Sequence, residues 1–242
     1  MKRTSIILVL MLLLTSSAIA QSAKRSGAKR LNIKEIVNGY LKEPEGELVG
    51  RVNDAWEKYL KGKPQDEGVK ITLDSKNGYF RYDDNSPESN TYVEICYWNR
   101  NDGKQLIAWN SVTIEDGKPV FTECTYLDFS LYNPKKRQWE DVDEKAVGMN
   151  LSEKETGPSI YGYNSDLKSH FVTYSEEEKT IKMTKEEFEA WWEIRPLVIY
   201  ELPRVGKDII VKIYEGKKII PITMKWNGMK FQKQCPSFLR HR

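Results

Sequence analysis

Residues 91–132 read TYVEICYWNRNDGKQLIAWNSVTIEDGKPVFTECTYLDFSLY. Three runs rich in β-branched and aromatic side chains are separated by Asp102-Gly103 and Asp116-Gly117. Asp-Gly tolerates the positive φ of a two-residue type I′ connection, so each dipeptide predicts an antiparallel hairpin. Two-residue loops would align Trp98 with Ile107 and Tyr126, and Cys96 with Trp109 and Cys124. The opposite face would carry Tyr97, Ala108 and Thr125, and Ile95, Asn110 and Glu123. The first face is the more apolar and is the expected core face.

Upstream the period changes to that of a helix. Ile33, Ile36, Val37, Tyr40 and Leu41 lie on one face, with Asn32 and Glu35 at capping-box spacing. A second stripe runs Leu48, Val49, Val52, Trp56, Tyr59, Leu60 and stops near Gly62 and Pro64. Downstream, Thr184 and Glu187 predict a short helix that buries Phe188, Trp191 and Trp192 and ends before Pro196. The runs LVIYELP, DIIVKIY and KKIIPITMKW then alternate as strands. Pro221 sits where an edge or bulge is expected, and Asn77-Gly78, Glu215-Gly216 and Asn227-Gly228 supply further turn signals. The fold class is α+β: mainly antiparallel sheet with two N-terminal helices and one short later helix.

The first 20 residues have a separate reading. Lys2 and Arg3 precede the apolar run Ile6 to Leu14, and Ala18-Ile19-Ala20 has the small-x-small pattern of a cleavage site. The run falls short of the roughly 20 residues that a span needs. The expectation is a signal peptide cleaved near Ala20/Gln21, a periplasmic or secreted protein, and no membrane span after cleavage. Residues 21–30 are small and basic and read as a disordered leader. Residues 31–142 hold helices and meander. Residues 143–170, punctuated by Gly148, Gly157, Pro158 and Gly162, read as a loop or connection. Residues 171–242 hold the short helix and second β region, in one domain with 31–142 or in a loosely separate half.

The chain has 242 residues, 39% hydrophobic and 30% charged. Its 38 basic and 35 acidic residues give a net charge of +3, and removal of Lys2 and Arg3 lowers it to about +1. Nothing in that balance favours nucleic acid. Two histidines, His170 and His241, exclude a multi-histidine metal centre, and no GxSxG, GxxxxGK[ST] or GxGxxG motif occurs. No cofactor and no metal site is expected. Asp83, Asp84, Asn85 and Glu88 have the oxygen-rich composition of a calcium loop without its spacing, and a plain polar loop is the favoured reading. The register places Cys96 and Cys124 roughly 9 to 10 Å apart across the Trp109 strand, too far to bridge. Buried free thiols are therefore favoured over a pair with Cys124 or Cys235.

Two kinds of residue remain for function. Glu94 lies within a predicted strand near the end of the dry face and is the candidate acid for glycan hydrolysis, which needs a second carboxylate across a cleft. Seven Trp and thirteen Tyr are the richer signal. Trp191, Trp192, Tyr161 and Tyr163 are not all placeable indoors, and the adjacent tryptophans are expected to diverge. Flat rings near acids and amides suit sugar binding. The stretches YVEICYWNRNDGKQLIAWNS and LPRVGKDIIVKIYEGKKIIPITMKWNGMKF, behind such a signal, resemble small uncharacterised exported proteins of Gram-negative bacteria. That resemblance brings no catalytic or binding residues with it. The expected function is an exported, non-catalytic binding protein of the cell envelope acting on polysaccharide or protein, and the alternative is an envelope glycan hydrolase using two carboxylates.

Overall fold

The computed structural model describes residues 29–42, 46–86, 89–122, 125–158, 160–165 and 168–234. The expected signal peptide, most of the leader, Glu88, Glu123, Cys124, Cys235 and His241 lie outside the described residues.

The chain opens with α1 (Ile33–Tyr40) and α2 (Glu47–Leu60). Asn32 caps α1 reciprocally: its Oδ1 accepts from the Glu35 amide at 3.1 Å, and Glu35 Oε2 accepts from the Asn32 amide at 2.9 Å. Such a box satisfies two amides that the first turn leaves unpaired. The α1 stripe buries Ile33, Ile36 and Val37, and α2 buries Leu48, Val52, Ala55 and Trp56. Trp56 Nε1 donates to Asn38 Oδ1 at 2.7 Å, tying the helices together. The α2 stripe ends sooner than its periodicity predicts. Tyr59 and Leu60 are exposed, with Tyr59 stacked on Trp56.

Strands β1 (Val69–Asp74), β2 (Tyr79–Ser86), β3 (Ser89–Asn99), β4 (Gln105–Glu115), β5 (Lys118–Val120), β6 (Tyr126–Asn133) and β7 (Gln138–Asp141) form one antiparallel sheet in the order β1-β2-β3-β4-β6-β7, with β5 also on β4. A second sheet, β11 (Leu197–Glu201), β12 (Ile209–Glu215), β13 (Lys218–Trp226) and β14 (Phe231–Gln234), is sequential and antiparallel. Between them in sequence come α3 (Glu153–Thr156), a small sheet of β8 (Ile160–Asn164), β9 (Ser169–Tyr174) and β10 (Lys179–Met183), and α4 (Lys185–Ile194). Elements from Leu31 onward form one compact unit. Residues 143–170, read from sequence as a loop or connection, thus contain a helical turn and a strand.

Three layers result. The large sheet lays Phe80, Tyr82, Val93, Ile95, Ile107 and Trp109 on the two helices. Its other face packs Cys96, Trp98, Leu106, Ala108 and Phe129 against Ile209, Val211, Ile222, Met224 and Phe231 of the second sheet. The central strand β4 is buried from Gln105 to Val112. Its polar residues are therefore bonded inside: Gln105 accepts from the Leu31 amide at 2.7 Å and donates to the Leu31 carbonyl at 3.0 Å, strapping the start of α1 to the sheet.

The predicted register is overturned by one residue between β3 and β4. Cys96 pairs with Ala108, Ile95 with Trp109, Tyr97 with Ile107 and Trp98 with Leu106. Asn101, Asp102 and Gly103 form a three-residue loop, in which the Arg100 amide donates to the Lys104 carbonyl and Gly103 sits at φ 87°. A type I turn followed by a left-handed glycine is the other favoured hairpin. One residue of slip exchanges the faces, so Trp109 faces the helices and Trp98 the second sheet. Because both faces are dry, apolar alternation carries no information about which way to slip.

The second predicted pairing holds only beside its turn. Glu115 faces Lys118 and Thr113 faces Val120, with Asp116 and Gly117 at φ 49° and 73° as a two-residue loop requires. Ser111 then faces Tyr126 and Trp109 faces Asp128. Val112 alone separates Thr113 from Ser111, whereas residues 121–125 separate Val120 from Tyr126. Thr113, Thr122 and Thr125 hydroxyls bond one another across this bulge, and Thr125 also donates to the Val120 carbonyl at 2.8 Å. The predicted rows that joined Cys96, Trp109 and Cys124, and Trp98, Ile107 and Tyr126, are therefore absent. The remaining turn dipeptides also close differently: four residues follow Asp74 before Tyr79, four follow Trp226 before Phe231, and Gly216-Lys217 rather than Glu215-Gly216 connects β12 to β13. Pro221 lies on β13 where β14 does not reach, so its missing donor leaves no gap in the ladder.

Candidate functional site

The helix α4 starts from a capping box in which Thr184 Oγ1 accepts from the Glu187 amide at 3.2 Å and Glu187 Oε2 accepts from the Thr184 amide at 2.8 Å. Phe188, Trp191, Trp192 and Arg195 follow at i, i+3, i+4 and i+7, one helical face. The adjacent tryptophans therefore converge, contrary to the expectation that they diverge. Both meet Tyr161 of β8, with ring centroids at 5.7 Å for Trp191 and 5.2 Å for Trp192. None of the four α4 side chains is fully buried. The helix covers only a three-stranded sheet, so Phe188, Trp191 and Trp192 are half-buried rather than enclosed.

Two further groups complete the cluster. Phe121, expelled by the bulge after β5, meets Trp192 edge-on at 5.4 Å. Arg195 precedes Pro196, which disfavours the helical conformation for it. It stands extended at φ −62°, ψ 149°, with its guanidinium carbon 3.5 Å from the Trp192 centroid and 3.8 Å from that of Phe121. Tyr163 is separate: it is 58% exposed and contacts His170 at 5.1 Å, which stacks on Phe188 at 4.8 Å. Of the four residues named from sequence, Tyr161, Trp191 and Trp192 are brought together and Tyr163 stands at the outer end of the stack.

This cluster borders a cleft of about 640 Å³. Phe121, Tyr161 and Arg195 face it, with Trp192 behind them. Glu144 and Glu153 of the segment 143–157 also line it, as do Val198 and Tyr200 of β11. A second cleft of about 590 Å³ shares Leu127, Asp143 and Glu144 and adds Asp128, Asp141 and Tyr40. Glu144 lines both. Burial, then the charges of Asp143 and Asp128, push its carboxyl up to about 7. Burial and Asp141 also raise Asp128. In contrast, the hydrogen bonds that the Asn77 side chain and amide donate to Asp74, followed by that from Arg204, hold Asp74 below the usual range.

Glu94, the acid singled out from sequence, is 4% exposed and borders neither cleft. Its Oε1 accepts from the Tyr79 hydroxyl at 2.7 Å and Arg81 Nη1 at 3.1 Å. Its Oε2 accepts from Asn110 Nδ2 at 3.0 Å and the Leu202 amide at 3.1 Å. Four donors occupy a carboxylate's capacity, so Glu94 joins the large sheet to the end of β11. The oxygen-rich run is likewise not a loop. Asp83 and Asp84 lie in β2, Asp83 accepting from Arg81 and Asp84 from Arg51 and Tyr82. Cys96 is a buried free thiol. Among the described residues no group of three or more His, Cys, Asp or Glu is placed to hold a metal ion, and no helix is long and apolar enough to cross a membrane.

Sequence reasoning missed Phe121, Glu144 and Arg195. The signal for Arg195 was available in its i+3 and i+4 relation to Trp192 and Trp191 and in the following proline. Phe121 and Glu144 depend on the bulge and on packing between distant segments. No protein-family model and no curated protein matches the chain. A domain of an uncharacterized protein from Porphyromonas gingivalis W83 aligns over 83% of this chain and 98% of its own, at 9% identity and a TM-score of 0.42.

Proposed function

We propose that the chain is an exported, non-catalytic binding protein of the cell envelope and that the larger cleft receives a glycan. The observation carrying this reading is that Tyr161, Phe121 and Arg195, backed by Trp191 and Trp192, line a cleft of about 640 Å³. Sites of this size combine apolar rings with a few polar groups that fix orientation, and a flat ring presents the surface that the C–H face of a sugar can cover. The leader pattern from Lys2 to Ala20 supports the location. Capture of envelope polysaccharide by the purified protein, weakened at least tenfold by Tyr161→Ala with unchanged thermal unfolding, is the expected result. Retention of full affinity in that variant would remove the cleft from the reading. N-terminal sequencing of the exported form checks cleavage at Ala20/Gln21.

A second reading, glycan hydrolysis by two carboxylates, draws on Glu144. A carboxyl held near 7 inside a cleft is matched to proton donation at neutral pH, and Asp128 lines the adjoining cleft. Turnover of an envelope glycan that disappears in Glu144→Gln would put this reading ahead of the first.

A further inference from the structure

A charge withdrawn from water is ordinarily paired in a stable protein, because leaving it unpaired costs solvation that nothing replaces. Arg195 is half-buried and makes no ion pair among the described residues. Trp192 and Phe121, edge-on to one another, both lie against its guanidinium, whose N–H groups are what remain to bond. One of these, Nη2, is closed off from solvent and has no acceptor among the described residues. Burial draws the pKa of this arginine down, and the Tyr161 hydroxyl works against that. The rings explain the orientation of the guanidinium and leave its charge unanswered.

Other residues of the cleft lining have the opposite chemistry. Glu153 accepts from the amides of Ser175 at 2.9 Å and Glu176 at 2.8 Å, and Glu176 Oε1 accepts from the Glu153 amide at 3.1 Å. A carboxylate has about four acceptor positions, so both retain lone pairs for donors such as sugar hydroxyls. Glu144, also in the lining, is about half protonated at neutral pH and opposes an anion only weakly. We infer that the cleft is specific for glycans that carry a carboxylate. The carboxylate of a uronate or sialate residue pairs with the guanidinium that Arg195 brings to the cleft lining beside Phe121, a ring that is 42% exposed. The sugar face lies toward Tyr161 and the hydroxyls point toward Glu153 and Glu176. The inference rests on the glycan reading above.

Binding of the purified protein to oligosaccharides ending in glucuronate, galacturonate or N-acetylneuraminate, each paired with its methyl ester, tests it by calorimetry. Esterification removes the charge and keeps the ring. At least one acid is expected to bind tenfold or more tightly than its ester, and the three arms separate uronate from sialate. In Arg195→Gln, with thermal unfolding as control, that preference is expected to fall below twofold while weak binding of the ester persists. The acid–ester comparison on the unaltered protein stands even if the variant fails to fold. Equal binding of acid and ester overturns the carboxylate inference and leaves the glycan reading in place. Binding of none of the six, with capture of a peptide of like charge, overturns both.

Discussion

Replacing Glu144 by Gln tests whether the carboxyl in the cleft is held protonated by its surroundings. Folding moves this group from its ordinary 4.5 to about 7, chiefly by burial. At 1.36 kcal/mol per pH unit, the linked free energy has a ceiling of about 3 kcal/mol, and screening on its solvent side reduces this to about 1–2 kcal/mol. The sign follows from the direction. A folded-state value above the unfolded one means that the native protein binds the proton more tightly, so the linked stability is complete below pH 4.5 and lost as pH rises through 7. Gln is nearly isosteric and does not ionise. Denaturant unfolding of both proteins from pH 4 to 8.5 should show the wild type losing about 1–2 kcal/mol relative to Glu144→Gln between pH 4.5 and 7.5, with a constant difference above pH 8. Carboxylates held low by partners, such as Asp74, slope the opposite way in both proteins and cancel. Parallel curves across the whole range would refute the assignment.

Glu94→Gln is expected to lower stability by about 2–4 kcal/mol, since an amide cannot accept from all four donors and the partly buried Arg81 loses its second carboxylate. Glycan binding measured at a temperature where the variant stays folded should be unchanged, and a selective loss of binding would reinstate Glu94 as a site residue. Gly148→Ala should cost about 3 kcal/mol or more in unfolding experiments, because φ is 83° and a Cβ would lie 2.2 Å from the Phe231 carbonyl oxygen. The Cys96 thiol, pushed up to about 12 by burial, should resist iodoacetamide at pH 8 in the native protein and react after denaturation, as peptide mapping would show.

The two N-terminal stripes and the two capping boxes were legible because a helix states its period and its start within a few residues. Asn32 with Glu35 and Thr184 with Glu187 each close a local ring of hydrogen bonds that needs no distant partner. Strand register is different. Asp102-Gly103 is compatible with a two-residue or a three-residue loop, and the choice rests on whether Asn101 enters the turn. In a sheet with one wet face, alternation would settle it. Between two cores it cannot: Ile95 and Cys96 are both buried, so either register satisfies the hydrophobic pattern.

That ambiguity reaches the site directly. Had β4 and β6 paired in register from Asp116-Gly117, Phe121 would stand in a strand beside Val112. The bulge moves it out to Trp192 and Arg195. The aromatic part of the cleft lining is thus assembled from a bulge in the large sheet, strand β8 of the small sheet and the end of a helix. Only the helical contribution has a sequence period that announces it. The Arg195-Pro196 step converts that helix end into a side-chain direction, because the proline denies Arg195 the helical ψ and turns the guanidinium across the last tryptophan. Replacing Pro196 by Ala should let α4 extend by a residue and withdraw the guanidinium from Phe121. If the inference about Arg195 is right, this single change, which removes no charge, should weaken the acid–ester preference as strongly as removing the arginine itself.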